Sequence, residues 1–329
     1  MKGTKRMAVL EKESPDPLRQ ESESGHEIGG LADRLNRYGI AHQRALAMAD
    51  YIQKAVVHPE KNKLLVELRS CGSYLIFRHY YTIGKVLLHG MCSCKKVFLC
   101  PLCAIRRAAK FIRAYFERWQ ILKEKNPKLK AYMVTFTVKD GEDLSERFKH
   151  LKNSIKEYHR QRRDALKKGR IRRPPVEANK AAGAVWSFEI KRGSGSGLFH
   201  PHVHAIWLCE VAPDPVRLSK EWNEVTGDSF IVDVRPIEEG DASGFIEVFK
   251  YALKFSEMTF EDTWSAFCIL RGQRMVSSFG SFRGIQVSEE MIDEDHPEDL
   301  PFLELVYRYV QKVGYTLVEA SRSGQNDAA

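Results

Sequence analysis

Several groups of residues in this sequence have types and spacings suited to chemistry. In FHPHVHAIW, His200, His202 and His204 stand at every second position. On a strand, where successive side chains alternate faces, all three imidazoles project from one side. Three imidazoles on one face suit a metal site or a phosphate site. The flanks Phe199, Ile206 and Trp207 point to a core sheet, where polar side chains need partners. Glu189 precedes them in VWSFEIK, with Trp186, Phe188 and Ile190 on the other face. It is either an exposed strand carboxylate or a cross-strand neighbour of the histidines. Two imidazoles and one carboxylate on a cation leave positions for phosphate oxygens and water.

A second group lies in IEVFKYALKF. If this segment is helical, Glu247 and Tyr251 share a face one turn apart, with Lys250 and Lys254 beside them. Phe245, Phe249, Ala252 and Leu253 form the buried side. A tyrosine here is either a core residue with a hydrogen-bonded hydroxyl or a nucleophile. The neighbouring ammonium groups favour the phenolate, which otherwise forms only near pH 10. The cysteines are spaced Cys92-x-Cys94-x5-Cys100-x2-Cys103. Two thiolates three apart, as in the Cys100–Cys103 knuckle, make half of a zinc site. Cys92 and Cys94 are tightly spaced for two ligands of one ion, so His89 is an alternative, and ordinary buried cysteines are another reading. The basic run KEYHRQRRDALKKGRIRR is a solvated face or a phosphate-tracking surface.

The elements that would position these residues follow from hydrophobic periodicity. Residues 1–30, rich in Glu, Ser, Lys and Gly, read as a disordered tail. A helix is expected from Leu31 to Val57, then a strand-like stretch (LLVELRSCGSYLIF), the cysteine cluster and, after Pro101, a helix rich in Arg and Lys (IRRAAKFIRAYFERWQILK) running to about Lys123. From Ala131 the order becomes strand (AYMVTFTV), charged helix (Asp143 to about Lys168), and two strands around the turn RGSGSG. A helix (Val216–Val225), a strand (FIVDVRPI) and a helix over Ala242–Phe255 follow. This predicts an α+β fold, a small antiparallel sheet with helices on one face. An acidic segment (SEEMIDEDHPEDL) precedes an expected last helix. The expected organisation is a tail (1–30), a helical, Cys-rich addition (31–130), a catalytic domain (131–285) and an acidic segment with a C-terminal helix (286–329).

The chain's 329 residues, 43% hydrophobic and 10% aromatic, are enough for a sizeable core. A formal charge of +9 favours a polyanionic partner such as nucleic acid. The opening MKGTKRMAVLEKESP has no apolar run of secretory length, and no stretch approaches a membrane span, so a cytoplasmic protein is expected, with no membrane partner. There the clustered cysteines read as metal ligands rather than disulfides.

In order, MVTFTV, FHPHVHAIW and EVFKYALK resemble the rolling-circle plasmid replication initiators of the HUH endonuclease superfamily, in the class with a single catalytic tyrosine. Cys71-Gly72 followed by YLIF, the CPLC cluster with its Arg-rich helix, and RMVSSFG extend the likeness over roughly residues 65–285. The resemblance implies an HUH catalytic domain with an RRM- or ferredoxin-like sheet. It implies that His202, His204 and Glu189 bind Mg²⁺ or Mn²⁺, with His200 supporting them. Tyr251 would attack the scissile phosphorus, leaving a 5′-phosphotyrosine and a 3′-hydroxyl primer, with Lys250 and Lys254 in support. Glu247 would activate water at termination. The implied partners are plasmid origin DNA, a host helicase and the replication machinery. Competing readings are a transposase of the same superfamily, a histidine-triad nucleotide hydrolase and a zinc-dependent repressor. The triad hydrolase leaves the tyrosine helix and the cysteines unexplained, and the repressor leaves the histidine strand so.

Overall fold

The computed structural model describes residues 28–167, 174–250, 255 and 258–323. The expected tail lies almost wholly outside them. The chain begins with α1 (Ile28–Ala55) and α2 (Lys61–Ser70), then β1 (Tyr74–Tyr80), β2 (Lys85–Met91) and α3 (Pro101–Lys125). β3 (Lys130–Thr137), α4 (Leu144–Leu166), β4 (Ala181–Arg192), β5 (Phe199–Cys209), α5 (Pro215–Thr226) and β6 (Val232–Ile237) follow. α6 (Ser243–Phe249), α7 (Phe260–Leu270), β7 (Val276–Gly280), β8 (Leu303–Val310) and β9 (Gly314–Arg322) complete it. No helix among the described residues is long and apolar enough to cross a membrane.

The fold is α+β, as expected, but with two antiparallel sheets where one small sheet was expected. The larger has strand order β6-β3-β5-β4-β7. Helices cover both of its faces rather than one. On one side Val203, Ala205 and Trp207 of β5 pack with Phe136, Tyr158 and Trp222, which brings α4 and α5 against the sheet. On the other, Ile206 and Leu208 meet Tyr115 and Trp119 of α3 and Phe245, Val248 and Phe249 of α6. Period-two alternation therefore gives β5 two apolar rows. The second row turns polar where it continues into His204, His202 and His200.

Local chemistry fixes the helices that frame this sheet. Asp143 caps α4 by accepting from the backbone N–H groups of Ser145 and Glu146, at 2.7 and 3.1 Å. Asp214 caps α5 in the same way, Pro215 opens it, and Gly227 closes it at φ +75°.

The smaller sheet, β2-β1-β8-β9, pairs β1 with a hairpin that follows it by more than 200 residues in sequence. Two expectations fail here. LLVELRS is the end of helix α2, with Leu64, Leu65 and Leu68 buried on one side; only YLIF is strand. The expected last helix is the hairpin β8–β9. Leu303, Leu305, Tyr307 and Tyr309 alternate with Glu304, Val306 and Arg308, and Lys312 (φ 66°) and Gly314 (φ 102°) make the turn. The acidic segment lies against α3. Asp293 accepts from Arg106 at 2.5 Å and from the Leu88 N–H at 2.7 Å, and Lys110 pairs with Glu294.

Candidate active site

β4 and β5 pair in a register that sets Glu189 directly opposite His202 and Ser187 opposite His204. Both histidine Nε2 atoms and the Glu189 carboxylate converge. The two Nε2 atoms are 3.0 Å apart, His202 lies 3.5 Å from Oε1 and His204 3.3 Å from Oε2. All three side chains are buried. The Nδ1 atoms are engaged elsewhere. That of His202 faces the His200 carbonyl at 3.2 Å, and that of His204 the Thr135 hydroxyl at 3.0 Å. A carbonyl can only accept, so the His202 proton sits on Nδ1 and its Nε2 lone pair points at Glu189. Burial, against the opposing pull of Glu189, lowers the His202 pKa and keeps the ring neutral. Oε1 of Glu189 is buried without a hydrogen-bond partner. Two imidazole nitrogens and a carboxylate with one orphaned oxygen fit a divalent cation, which would satisfy all three groups.

The group opens into a cavity of about 530 Å³. Its lining includes Thr135, Lys191, His200, Arg235, Glu247 and Lys250. α6 brings Glu247 to this mouth, with Oε1 3.9 Å from His204 Nε2 and Oε2 3.7 Å from the Lys250 ammonium. The helix is held from behind by aromatic contacts, Phe249 on Phe111 and Tyr115, and Phe245 on Phe116 and Trp119. The Ser187 hydroxyl also donates to the Val248 carbonyl. Tyr251 and Lys254 lie outside the described residues, as does most of the expected stretch to Phe255 beyond Lys250. His200 is on the same face and hydrogen-bonds Asp140. Sequence reasoning missed Asp140, Thr135, Lys191 and Arg235. Lys191 and Thr135 were accessible by strand period from Glu189 and by pairing with His204; Asp140 and Arg235 carried no such signal.

The cysteine expectation needs one correction. The sulfurs that gather are those of Cys71, Cys94, Cys100 and Cys103, all within 4.8 Å of one another. Cys92 is not among them. Its carbonyl accepts the Gly72 N–H at 2.7 Å, so its backbone fastens the turn that carries Cys71. His89 is also elsewhere, its ring edge-on to His296. Cys103 is held well below the ordinary thiol range because Cys100, Cys71 and Cys94 donate to its sulfur.

A family model described as "Replication protein" matches residues 85–304. The chain belongs to that replication protein family. In this family member the match takes in Glu189, His202, His204, Glu247 and Tyr251 and leaves Cys71 outside. "Protein rep" of Streptococcus pneumoniae serotype 2 (strain D39 / NCTC 7466) is 26% identical over 213 residues, 59% of this chain. The match spans 61% of that relative's length. No solved structure matches the chain.

Proposed function

We propose that this replication protein is a metal-dependent, covalent DNA endonuclease that initiates rolling-circle replication at a plasmid origin. The observation that carries the reading is the buried Glu189–His202–His204 group, whose two histidines line a cavity together with Lys191, Arg235 and Lys250. A polyanionic strand fits that lining, and a scissile phosphate fits the space above the imidazoles. His202, His204 and Glu189 would hold Mg²⁺ or Mn²⁺, and two nitrogen ligands lean toward Mn²⁺. The ion would supply polarisation of a non-bridging phosphate oxygen.

The remaining chemistry belongs to the chain. Tyr251 directly follows Lys250 on the segment whose preceding turn borders the cavity. Its phenolic oxygen attacks phosphorus, a tyrosyl phosphoester forms, and the bond to the 3′-oxygen breaks. The proton lost by the phenol goes to solvent, and the departing oxygen takes one up as a 3′-hydroxyl. The ester energy stays in the protein linkage, available for rejoining. Lys250, beside Glu247, favours both the phenolate and the negative phosphate; Lys254 would add a second cation. Glu247, its carboxylate 3.9 Å from His204 Nε2, would take the attacking water's proton at termination. His200, oriented by Asp140, supports the strand end on which His202 lies. The zinc of this reading belongs to the four-cysteine group and has no part in the reaction. Origin DNA, a host helicase and the replication machinery are the partners of a cytoplasmic initiator so described.

The test is a nicking assay on supercoiled origin plasmid with Mn²⁺. Wild type should give nicked circles with protein on the 5′ end, and Tyr251→Phe should lose them while keeping origin binding in a mobility-shift assay. Nicking by Tyr251→Phe would sink the assignment. Glu247→Ala should still nick but fail to release unit circles, and normal release would remove its role.

A further inference from the structure

We infer that Cys71, Cys94, Cys100 and Cys103 form a structural Zn²⁺ centre, closed by a cysteine from outside the Cys92–Cys103 run. Cys71 lies 3.6 Å from Cys100 and 3.5 Å from Cys103, and Cys94 lies 3.6 Å from Cys103, sulfur to sulfur. Four ligands at the usual Zn–S length of about 2.3 Å sit about 3.8 Å apart along the edges of a tetrahedron. A disulfide would need about 2.05 Å. All four sulfurs fall within 4.8 Å of one another, room for a single ion. Cys71, Cys100 and Cys103 are 0% exposed and Cys94 8%, so water does not compete. Four mutually packed thiols offer one another only weak hydrogen bonds, whereas a tetrahedral dication engages every sulfur at once.

The backbone is shaped for this group. Lys95 takes the left-handed conformation (φ 55°) just after Cys94, and the Cys100 N–H returns to the Lys96 carbonyl at 2.8 Å. The chain between Cys94 and Cys100 thus folds back on itself. Cys71 is delivered by a separate turn. Gly72 sits at φ +73°, and a Cβ there would lie 2.5 Å from Leu102. Only glycine allows this turn to approach the α3 knuckle so closely. His42 Nδ1 meets the Cys71 carbonyl at 2.7 Å, and the Tyr315 hydroxyl donates to the Gly72 carbonyl at 2.7 Å. The centre therefore fastens α1, the α2–β1 turn, the loop before α3 and strand β9 at one point. Cys100 and Cys103 also anchor the first turn of α3, the helix against which α6 packs.

The experiment is elemental analysis of the full-length protein and two variants, independent of nicking and so of the nuclease reading. One zinc per chain is expected in the wild type. Cys71→Ser should lose at least tenfold of it, and Cys92→Ser should keep it. No zinc, iron in its place, or loss in Cys92→Ser with retention in Cys71→Ser would overturn the centre. Because Cys71→Ser can fail to fold, wild type exchanged with Co²⁺ gives a second readout. Intense thiolate-to-cobalt charge-transfer bands and tetrahedral d–d bands are expected, and their absence would refute four-thiolate ligation.

Discussion

Replacing Asp293 by Asn tests whether the acidic segment is held by a buried charge or merely lies on a basic helix. Asp293 accepts from Arg106 at 2.5 Å, from Arg34 at 3.4 Å and from the Leu88 N–H at 2.7 Å. The Arg106 side chain is 4% exposed. The isosteric amide keeps an acceptor for Leu88 but removes the negative charge facing two guanidinium groups. Breaking a buried pair typically costs about 3–5 kcal/mol. Arg106 retains the Met291 carbonyl and the Tyr38 hydroxyl, at 2.7 and 3.0 Å, which favours the lower end, about 3 kcal/mol. At roughly 2.1 cal/mol/K per residue, that lowers the melting temperature of a chain this size by about 4 °C. Urea denaturation at pH 7 is the assay, with Glu294→Gln as the exposed control, expected to cost under about 0.5 kcal/mol. The pH dependence has a definite sign. Burial would raise the Asp293 carboxyl, but Arg106 and Arg34 hold it well below the usual range. Its contribution is therefore complete above the ordinary aspartate pKa, near 3.9, and fades only as pH falls further. The wild-type advantage over Asp293→Asn should be equal at pH 7 and pH 5. A loss no larger than that of Glu294→Gln, or an advantage that fades between those pH values, would refute the reasoning.

Two further outcomes follow from buried imidazoles. Thr135→Val removes the hydroxyl 3.0 Å from His204 Nδ1 and should weaken Mn²⁺ binding roughly 10–100-fold by calorimetry; unchanged affinity would mean the ring needs no such support. His159, packed on Trp186, is pushed down to about 3 by burial, with Arg162 and Arg163 adding to the effect. It stays neutral in the fold but charges near pH 6.5 when unfolded. Stability should therefore fall by about 1.6 kcal/mol between pH 6.5 and 5, and His159→Phe should flatten that slope. An identical slope in the variant would assign the loss to other groups.

The candidate site was legible because its three converging side chains come from one hairpin. Strand period puts His202 and His204 on one face, and RGSGSG brings the two strands together, but only the register decides that Glu189 faces them rather than solvent. The cysteine centre was half legible. Cys100 and Cys103 are local, but Cys71 arrives by a turn whose glycine shows its purpose only beside Leu102, while Cys92 offers a nearer sulfur. LLVELRS misled because a short apolar run suits a buried strand and a buried helix equally. In β8, Val306 breaks the polar alternation, and only the partner strand β1 decides in favour of a sheet.

That partnership has a consequence for the order in which the molecule can be made. Ile76 in β1 is bordered by Val306 in β8. A ribosome adding about 5–20 residues per second needs roughly 10–50 s to go from one to the other. In that interval the strands of the five-stranded sheet all emerge, while one edge of β1 stays open to other chains. Nascent chains crowded on one message would be prone to pair there, so the last hairpin closes a window of aggregation as it completes the sheet.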